Sequence, residues 1–312
     1  MSDQKRVIVA MSGGVDSSVA AGLLSQEGYR VIGATLLFRP CDDDGEVSWC
    51  CGRGAAEQAR GVAGVLGIPH YGIECATEFE SRVLRPAWEE YDQGRTPSPC
   101  ILCNRHIKFE LLMALARKLG AAKVATGHYA RIETGSTDGK VALLRGTDLN
   151  KDQSYFLFSL SQVQLENALF PLGSYRKSEV REMAKRLGFA NAERPESQDA
   201  CFVYKDGGFS EALRRRFSGR VRGGLVVDDE GNALGKHDGI HHYTVGQRRG
   251  LRIALGSRAY VSHFDADSAQ ITLSQSVEKL RSRDLIASNL VWTGGRVPQL
   301  PLRCSAQIRY RQ

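Results

Sequence analysis

The 312-residue sequence contains no apolar run long enough to cross a membrane as a helix. Its first residues, MSDQKRVIVA, lack the charged and then apolar pattern of a secretion signal. We therefore expect a cytoplasmic protein with no membrane partner. Cysteine is sparse, with eight residues in the chain, and a reducing compartment argues against structural disulfides. Each cysteine therefore needs a separate explanation as a core residue, a ligand or a reactive thiol.

Acidic residues are outnumbered by basic ones, with 35 Asp and Glu against 42 Lys and Arg, which gives a formal net charge of +7. The apolar content of 42% and the charged content of 25% are ordinary for a soluble globular protein. The basic excess fits a solvated surface and a polyanionic partner about equally well. Composition alone leaves both interpretations open.

Strand-like and helix-like runs alternate in the first two hundred residues. RVIVA at 6–10 is typical of a buried strand, and a glycine-rich turn, a helix and a second strand, VIGATLLF, follow it. Further helices are predicted over 54–67 and 106–119, with strands over 70–75 and 123–129. This α/β alternation predicts a Rossmann-like parallel sheet in a first domain at residues 1–205.

The pattern changes after this domain. Residues 206–275 are rich in glycine and short β-like runs, which predicts a small central domain. From about residue 270 the runs AQITLS, DLIASNLVW and LRCSAQIRYRQ are typical of strands in an all-β module. Because the last run reaches the final residue, we expect an incomplete all-β module at residues 276–312, which the resemblance described below implies is a C-terminal β-barrel.

The segment SGGVDSS at 12–18 follows the first strand and opens a helix, where backbone N–H groups and the helix dipole favour an anion. Its glycines allow a tight turn and the close approach of a phosphate. The segment lacks the lysine of a Walker loop and the third spaced glycine of the dinucleotide fingerprint. We therefore favour a different kind of phosphate-binding loop over a simple serine-capped helix start.

This loop resembles the pyrophosphate-binding loop of the PP-loop ATP pyrophosphatase superfamily. A set of short blocks in order makes the chain similar to the tRNA-specific 2-thiouridylase family (MnmA/TrmU): AMSGGVDSSVAA, CNRHIKF, ATGHYAR, KDQSYFL, RPESQDACF and YTVGQRRGL. The resemblance implies an adenine nucleotide alpha hydrolase-like PP-loop domain. It also implies ATP-dependent 2-thiolation of the wobble uridine (U34) of tRNA, by adenylation of the C2 oxygen and sulfur transfer from a cysteine persulfide.

The resemblance implies a nucleotide site with ATP and Mg²⁺. Its residues would be Ala10, Met11, Ser12, Gly13, Gly14, Val15, Asp16, Ser17, Leu36 and Gly127. Asp16 is the candidate for organising Mg²⁺, because hard cations prefer carboxylate oxygens. An equally good interpretation of Asp16 is an acid in the first helical turn that interacts with the helix dipole.

Two cysteines are implied in sulfur transfer, with Cys103 as the nucleophile and Cys201 as the carrier of the persulfide. The apolar stripe after Cys103 predicts that it lies just ahead of a helix N-terminus, with basic residues close by, and both features favour a thiolate. The family resemblance implies that the two thiols end the reaction as a disulfide. The alternative for each is a buried, inert cysteine.

Cys100 departs from the commonest family pattern, which has an aspartate with a proposed acid/base role at this position. A cysteine is a poorer acid at neutral pH, so this role is in question here. The substitution also allows a second mechanism, in which Cys100, Cys103 and Cys201 bind three irons of a [4Fe–4S] cluster. Structural roles are expected for Cys41, Cys75 and Cys304, and packing or loop roles for Cys50 and Cys51.

The resemblance implies contacts with tRNA at Ser98, Pro99, Cys100, His128, Lys151, Asp152, Gln153, Arg309 and Tyr310. Further candidates for phosphate contacts are Arg214, Arg215, Arg216, Arg220, Arg222, Arg248 and Arg249, for which solvated surface charge is the alternative. The expected partners are the anticodon stem-loops of tRNAs of the Glu, Gln and Lys type, together with a cysteine desulfurase or sulfur-relay protein. The later strands of the family's C-terminal barrel are absent from this sequence, and we expect their absence to weaken the binding of tRNA.

Two other functions compete with thiolation. The first is another PP-loop enzyme that adenylates a small molecule, which leaves the paired cysteines and the arginine-rich segments unexplained. The second is a non-catalytic RNA- or metal-binding module, against which the intact SGGVDSS argues.

Overall fold

A computed structural model describes most of the chain. The described residues are 5–38, 47–49, 53–135, 139–194, 202–204, 208–217, 222–251, 253 and 256–310. Within them, no helix is both long and apolar enough to span a bilayer. Several residues singled out from the sequence lie outside these ranges, namely Cys41, Cys50, Cys51, Cys201 and Arg220.

The strands are β1 (Arg6–Ala10), β2 (Arg30–Leu37), β3 (Val47–Trp49), β4 (His70–Glu74), β5 (Lys123–Ala125), β6 (Ala130–Thr134), β7 (Val141–Arg145), β8 (Ala168–Leu169), β9 (Phe202–Tyr204), β10 (Gly224–Val227), β11 (Ala233–His237), β12 (Tyr260–Asp265) and β13 (Gln270–Ser274). The α-helices are α1 (Val15–Gln26), α2 (Arg53–Leu66), α3 (Ala76–Phe79), α4 (Arg85–Asp92), α5 (Pro99–Leu102), α6 (Leu112–Lys118), α7 (Gln162–Glu166), α8 (Lys177–Arg186) and α9 (Gly208–Arg216). Two π-helical segments, Glu80–Leu84 and Cys103–Leu111, and three short 3₁₀ helices complete the description.

The central sheet is parallel, with strand order β4-β2-β1-β5-β8. Its middle strand β1 is covered on both faces, since Ile8 belongs to one core cluster and Val7 and Val9 belong to the other. This explains why RVIVA is continuously apolar and does not alternate with polar residues. The chain runs outward from β1 in one direction through β2 and β4, and in the other through β5 and β8. The switch point between β1 and β5 therefore opens a crevice at the carboxyl ends of these strands.

The predicted Rossmann-like sheet is confirmed, and the predicted helix at 54–67 corresponds to α2. The helix predicted at 106–119 begins earlier than expected. It runs continuously through α5, the second π-helical segment and α6, from Pro99 to Lys118. Pro99 is responsible, because the first helical position needs no backbone N–H and the proline ring sets the helical φ. Cys103 therefore lies one turn inside the helix and not ahead of it.

The central region forms a separate four-stranded sheet of order β11-β10-β13-β12 with its own apolar core. It contacts the first domain through α9 and a 3₁₀ helix, Ile240–His242, both of which pack on α4. At this contact the His241 ring lies edge-on to Trp88 at a centroid distance of 5.7 Å. Arg222 adds hydrogen bonds to the carbonyls of Asp92 and Ala266.

Beyond β13, the structure has a 3₁₀ helix at Val277–Leu280 and irregular chain over residues 281–310, with no strand in that range. The run AQITLS supplies β13, whereas DLIASNLVW and LRCSAQIRYR form no strand and are largely exposed. A strand requires a hydrogen-bonded neighbour, and no described residue supplies one here. Cys304 is exposed in this region, while Cys75 is buried in the main core as expected.

His241 predicts how the contact between the central region and α4 depends on pH. Its side chain is 3% exposed, and burial together with the neighbouring His242 lowers its pKa from 6.5 to about 4. Between these pH values the unfolded chain binds a proton at this position and the folded chain does not, so stability is lost as the pH falls. At pH 5 we expect a cost of about 2 kcal/mol.

The measurement is thermal unfolding followed by circular dichroism at pH 7.5 and pH 5.0. His241→Gln should lose less stability between the two pH values than the parent protein. His263→Gln, at an exposed position on β12, serves as the control and should retain the parent's full loss. An equal loss in all three proteins would contradict this assignment.

Candidate active site

The loop between β1 and α1 has the form of an anion cradle. Helix α1 begins after Gly14, which provides no side-chain cap, and so its first N–H groups face the loop. Ser17 braces the loop, because its hydroxyl donates to the Gly14 carbonyl at 3.1 Å and accepts from the Ser12 N–H at 3.1 Å. Gly13 has φ +72°, and a Cβ there would lie 2.5 Å from the Ala55 carbonyl oxygen. Only glycine fits this turn.

The loop after β5 meets this cradle from the other side of the switch point. A Cβ on Gly127 would lie 2.7 Å from the Ser17 backbone nitrogen and 2.8 Å from the Asp16 carbonyl carbon. The loop after β5 therefore contacts the start of α1 through backbone atoms. The structure thus brings Gly127 and the 10–17 loop together, as the sequence resemblance implied.

Asp16 is tightly paired in this structure. The Lys177 ammonium donates to both of its carboxylate oxygens, at 2.7 and 2.8 Å, and the Tyr129 hydroxyl donates to one of them at 2.8 Å. Asp16 lies in the first turn of α1, as the helix-dipole interpretation required. A Mg²⁺ ion could use this carboxylate only after Lys177 had moved from at least one oxygen.

Lys177 was not identified from the sequence. It is a buried lysine at the first position of α8, where the helix dipole disfavours a cation. That unfavourable placement is the sequence signal that could have revealed it. The ion pair with Asp16 offsets the cost of burying the ammonium, and it places a positive charge beside the anion cradle.

Two further residues that were not identified from the sequence hold the loop and the start of α1 by hydrogen bonds. The Asn191 amide donates to the Gly13 carbonyl at 2.9 Å and to the Ser18 hydroxyl at 3.0 Å. The Thr35 hydroxyl donates to the Met11 carbonyl at 2.7 Å. Neighbouring Leu36 is buried in the core at the end of β2, so only its backbone is available to a nucleotide.

The two helix cysteines differ in environment. Cys103 is 5% exposed and begins the π-helical segment, whereas Cys100 is half-buried in the first helical turn. Burial raises the pKa of the Cys100 thiol, and the Lys108 ammonium acts in the opposite direction. The first-turn position that was expected to activate Cys103 therefore belongs to Cys100. Ser98 and Pro99 are half-exposed at the start of this helix.

His128 follows Gly127 and is held neutral. Burial lowers its pKa well below 6.5, and the Lys108 ammonium lowers the pKa further. Its Nδ1 lies 2.7 Å from the Thr126 hydroxyl, and its ring packs edge-on to Phe170 at 6.3 Å. Lys108 acts electrostatically on both His128 and Cys100, so these two groups share one environment.

The structure brings the predicted tRNA contacts at 151–153 close to those at 309–310. Tyr310 packs its ring on Phe156 at a centroid distance of 4.4 Å, and Arg309 donates to the Val245 carbonyl at 2.7 Å. Asp152 and Gln153 are both engaged within the protein. Asp152 accepts from the Gly146 N–H and from Ser154, while Gln153 accepts from the Tyr129 N–H at 3.1 Å.

Most of the arginines proposed as phosphate contacts are also engaged within the protein. Arg214 and Arg215 both bind Glu211, and the pKa of that carboxyl is lowered to about 2, chiefly by its hydrogen bonds to Arg214. Arg216 binds Glu80 with its Nε at 2.9 Å. Among the described arginines of this set, the exposed exceptions are Arg248 and Arg249, in the loop between the 3₁₀ helix Ile240–His242 and β12.

Comparison with known proteins identifies the family. Residues 5–205 match the model described as the tRNA methyl transferase HUP domain, and residues 211–275 match the tRNA methyl transferase PRC-barrel domain. The chain is 47% identical to the tRNA-specific 2-thiouridylase MnmA of Heliobacterium modesticaldum, over 98% of this chain and 80% of that protein. The chain belongs to the tRNA-specific 2-thiouridylase family. The resemblance inferred from short sequence blocks is thereby confirmed.

A second 2-thiouridylase, MnmA from Halothermothrix orenii, is 44% identical over 98% of this chain and 85% of that protein. Among solved structures, a 4-thiouridine synthetase–RNA complex with bound ATP has a TM-score of 0.44 and 18% identity, covering 68% of this chain and 50% of that chain. The family relationship rests on the sequence matches alone.

Gly127→Ala should disrupt the nucleotide cradle. The added methyl group would press on the backbone of Asp16 and Ser17, which cannot move without shifting the start of α1. We expect ATP affinity to fall at least about tenfold, a loss of roughly 1.4 kcal/mol. Isothermal titration calorimetry with ATP provides the measurement.

Gly64→Ala is the matched control, because a Cβ at Gly64 meets no atom within 4 Å and the residue lies within α2. That substitution should leave ATP affinity unchanged and slightly favour the helix. Equal affinities in the two variants would show that the approach of Gly127 to α1 does not shape the site.

Proposed function

We propose that this protein is an ATP-dependent tRNA uridine 2-sulfurtransferase that replaces the C2 oxygen of the wobble uridine, U34, with sulfur. The observation that carries the proposal is the glycine cradle at the β1/β5 switch point, in a chain whose relatives are named tRNA-specific 2-thiouridylases. Support for a nucleotide comes from the uncapped start of α1 and the adjacent Lys177 ammonium. A cytoplasmic location is part of this proposal.

The first chemical step would activate the base. The C2 oxygen of uridine attacks the α-phosphorus of ATP, pyrophosphate leaves, and an adenylated base results. The N–H groups of the 12–17 loop bind the phosphates, and Lys177 stabilises the negative charge that develops on them. Mg²⁺, when bound, would neutralise phosphate charge, and Asp16 would be its candidate carboxylate ligand once Lys177 moved toward the phosphates.

The second step would deliver sulfur. A persulfide on Cys201, supplied by a cysteine desulfurase or sulfur-relay protein, attacks C2 with its terminal sulfur, and AMP leaves with the former C2 oxygen. The Cys103 thiolate then attacks the Cys201 sulfur, breaks the S–S bond and releases the 2-thiouridine. The product enzyme holds a Cys103–Cys201 disulfide, which an external thiol reductant must reduce before the next turnover.

The proposed contacts with tRNA are residues 98–100, His128, 151–153 and 309–310. The neutral His128 imidazole would offer a hydrogen-bonding group to a flipped base, in an environment where the Lys108 ammonium acts on both His128 and Cys100. Exposed Arg248 and Arg249 are the arginines best placed for phosphates, because the Arg214–Arg216 run is occupied by Glu211 and Glu80. The proposed partners are anticodon stem-loops of Glu-, Gln- and Lys-type tRNAs.

One assay separates the candidate functions. Protein, ATP, Mg²⁺, a sulfur source and unmodified tRNA are incubated, and the digested tRNA is examined by mass spectrometry for 2-thiouridine. The proposal predicts 2-thiouridine together with AMP. AMP formed with a small acceptor but no thiolated tRNA would indicate a small-molecule PP-loop enzyme, and no ATP chemistry would indicate a non-catalytic module.

Cys103→Ser and Cys201→Ser should each abolish 2-thiouridine formation, because a hydroxyl can neither carry the persulfide nor complete the disulfide. Both variants should bind ATP with the affinity of the parent protein, since the cradle is formed by other residues. Cys75→Ser is the control, because the Cys75 thiol donates to the Leu37 carbonyl and takes no part in the proposed reaction, and this variant should retain activity if it folds. Thiolation that survives either of the first two changes would remove that thiol from the mechanism.

Cys100→Asp tests the alternative mechanism with a [4Fe–4S] cluster on Cys100, Cys103 and Cys201. Cys100 and Cys103 lie one helical turn apart, which is a spacing that also allows two ligands to one cluster. Under the persulfide mechanism the aspartate should be tolerated. Anaerobic purification with iron and sulfide analysis provides the comparison, and joint loss of an iron absorption band and of activity would favour the cluster.

A further inference from the structure

The helix that carries the thiols contains an unusual segment that begins at Cys103. From Cys103 to Leu111 the backbone is π-helical, with about one residue more per turn than an α-helix. Such segments are less favourable than α-helix and persist where the surroundings stabilise them, often at functional sites. The contacts that hold this segment therefore determine where Cys103 lies.

Two buried amide side chains supply those contacts. The Asn104 Nδ2 donates to the Phe156 carbonyl at 2.9 Å, and the Gln164 Nε2 donates to the Arg105 carbonyl at 2.7 Å. Asn104 is 1% exposed and Gln164 is 9% exposed, so neither amide exchanges its partner for water easily. Gln164 is itself fixed, since its Oε1 accepts from the Ser161 N–H in the capping box of α7.

Phe156 is the last residue of a short segment that is held by hydrogen bonds. Residues 154–156 form a 3₁₀ helix, and the Phe156 N–H donates to the Gln153 carbonyl at 3.0 Å. Gln153 is bonded to Tyr129 through its side chain and its backbone N–H. The path from 151–153 to Cys103 thus passes through Phe156 and Asn104 by hydrogen bonds and adjacent backbone.

We infer that Asn104 is a positioning residue, which fixes the Cys103 thiol relative to the 151–156 segment that would contact tRNA. Gln164 supports the same π-helical segment, because its amide donates to the carbonyl of the next residue, Arg105. This inference rests on the proposed function, because the role of 151–153 as a tRNA contact belongs to that proposal. Asn104 acts through Cys103 and does not itself meet the reacting atoms.

Asn104→Leu keeps the shape of the side chain and removes the donor. It also removes the Asn104 Oδ1, a buried acceptor with no hydrogen-bond partner among the described residues, which limits the loss of stability. We expect the single-turnover rate of thiolation to fall about 10- to 100-fold, while the ATP KM and the tRNA Kd stay within about twofold. Gln164→Met should have the same signature with a smaller loss, and it serves as the second variant if Asn104→Leu fails to fold.

Asn167→Leu is the matched control. The Asn167 amide also donates to a backbone carbonyl, that of Val163 at 2.8 Å, but at the surface of α7. Asn167→Leu should lower neither the single-turnover rate of thiolation nor the affinities for ATP and tRNA. Unchanged kinetics in Asn104→Leu and Gln164→Met, or equal losses in kcat, KM and Kd, would overturn the inference.

Hydrogen exchange with unmodified tRNA gives a readout that needs no turnover. In the parent protein, tRNA should slow amide exchange in peptides covering both 151–157 and 103–111. In Asn104→Leu, only the 151–157 peptide should be slowed. Protection of 151–157 alone in the parent would overturn the inference and leave the proposed function standing. Protection of neither peptide would contradict the tRNA contact at 151–153, and the inference would fall with it.

Discussion

The contact on which the site depends is the approach of two backbones at the β1/β5 switch point. Gly127 lies so close to the start of α1 that any side chain would overlap the Ser17 nitrogen. This approach is possible because β1 and β5 are adjacent parallel strands whose connections leave in opposite directions. The crevice is therefore a consequence of strand order, and the glycines are what keep it open to a phosphate.

The same crevice explains the charge arrangement around it. A helix start and a lysine ammonium both attract anions. In this structure the Lys177 ammonium is paired with the Asp16 carboxylate. Under the proposed function, a phosphate that bound at the loop would compete with Asp16 for Lys177, and its binding would be coupled to rearrangement of this ion pair. The Tyr129 hydroxyl keeps a hydrogen bond to Asp16 available during that exchange. The pair therefore limits the cost of burying either charge alone.

The parts of the molecule that depend on local signals could be predicted from the sequence. The βαβ unit, the SGGVDSS loop and α2 follow from apolar periodicity and glycine placement within a few residues. Asn191 could not be identified in this way, because its partner Gly13 lies 178 positions away. For Lys177 the local signal is a lysine at a helix start, and that signal does not identify its partner Asp16, 161 positions away. The predicted position of Cys103 relative to the helix start was wrong by one turn, because Pro99 begins the helix earlier than expected. The π-helical segment could not be recognised from the spacing of the apolar residues.

The nucleotide loop, the thiol helix and the candidate tRNA segment are joined by a short chain of contacts. Tyr129 donates its hydroxyl to Asp16 in the nucleotide site, and its backbone exchanges two hydrogen bonds with Gln153. Three residues later, the Phe156 carbonyl accepts from Asn104, next to Cys103. Residues 153–156 therefore connect the ATP cradle to the thiol. The proposed reaction, in which a base is adenylated before sulfur attacks it, would require both groups at fixed distances from one substrate, and hydrogen bonds through a single segment would meet that requirement.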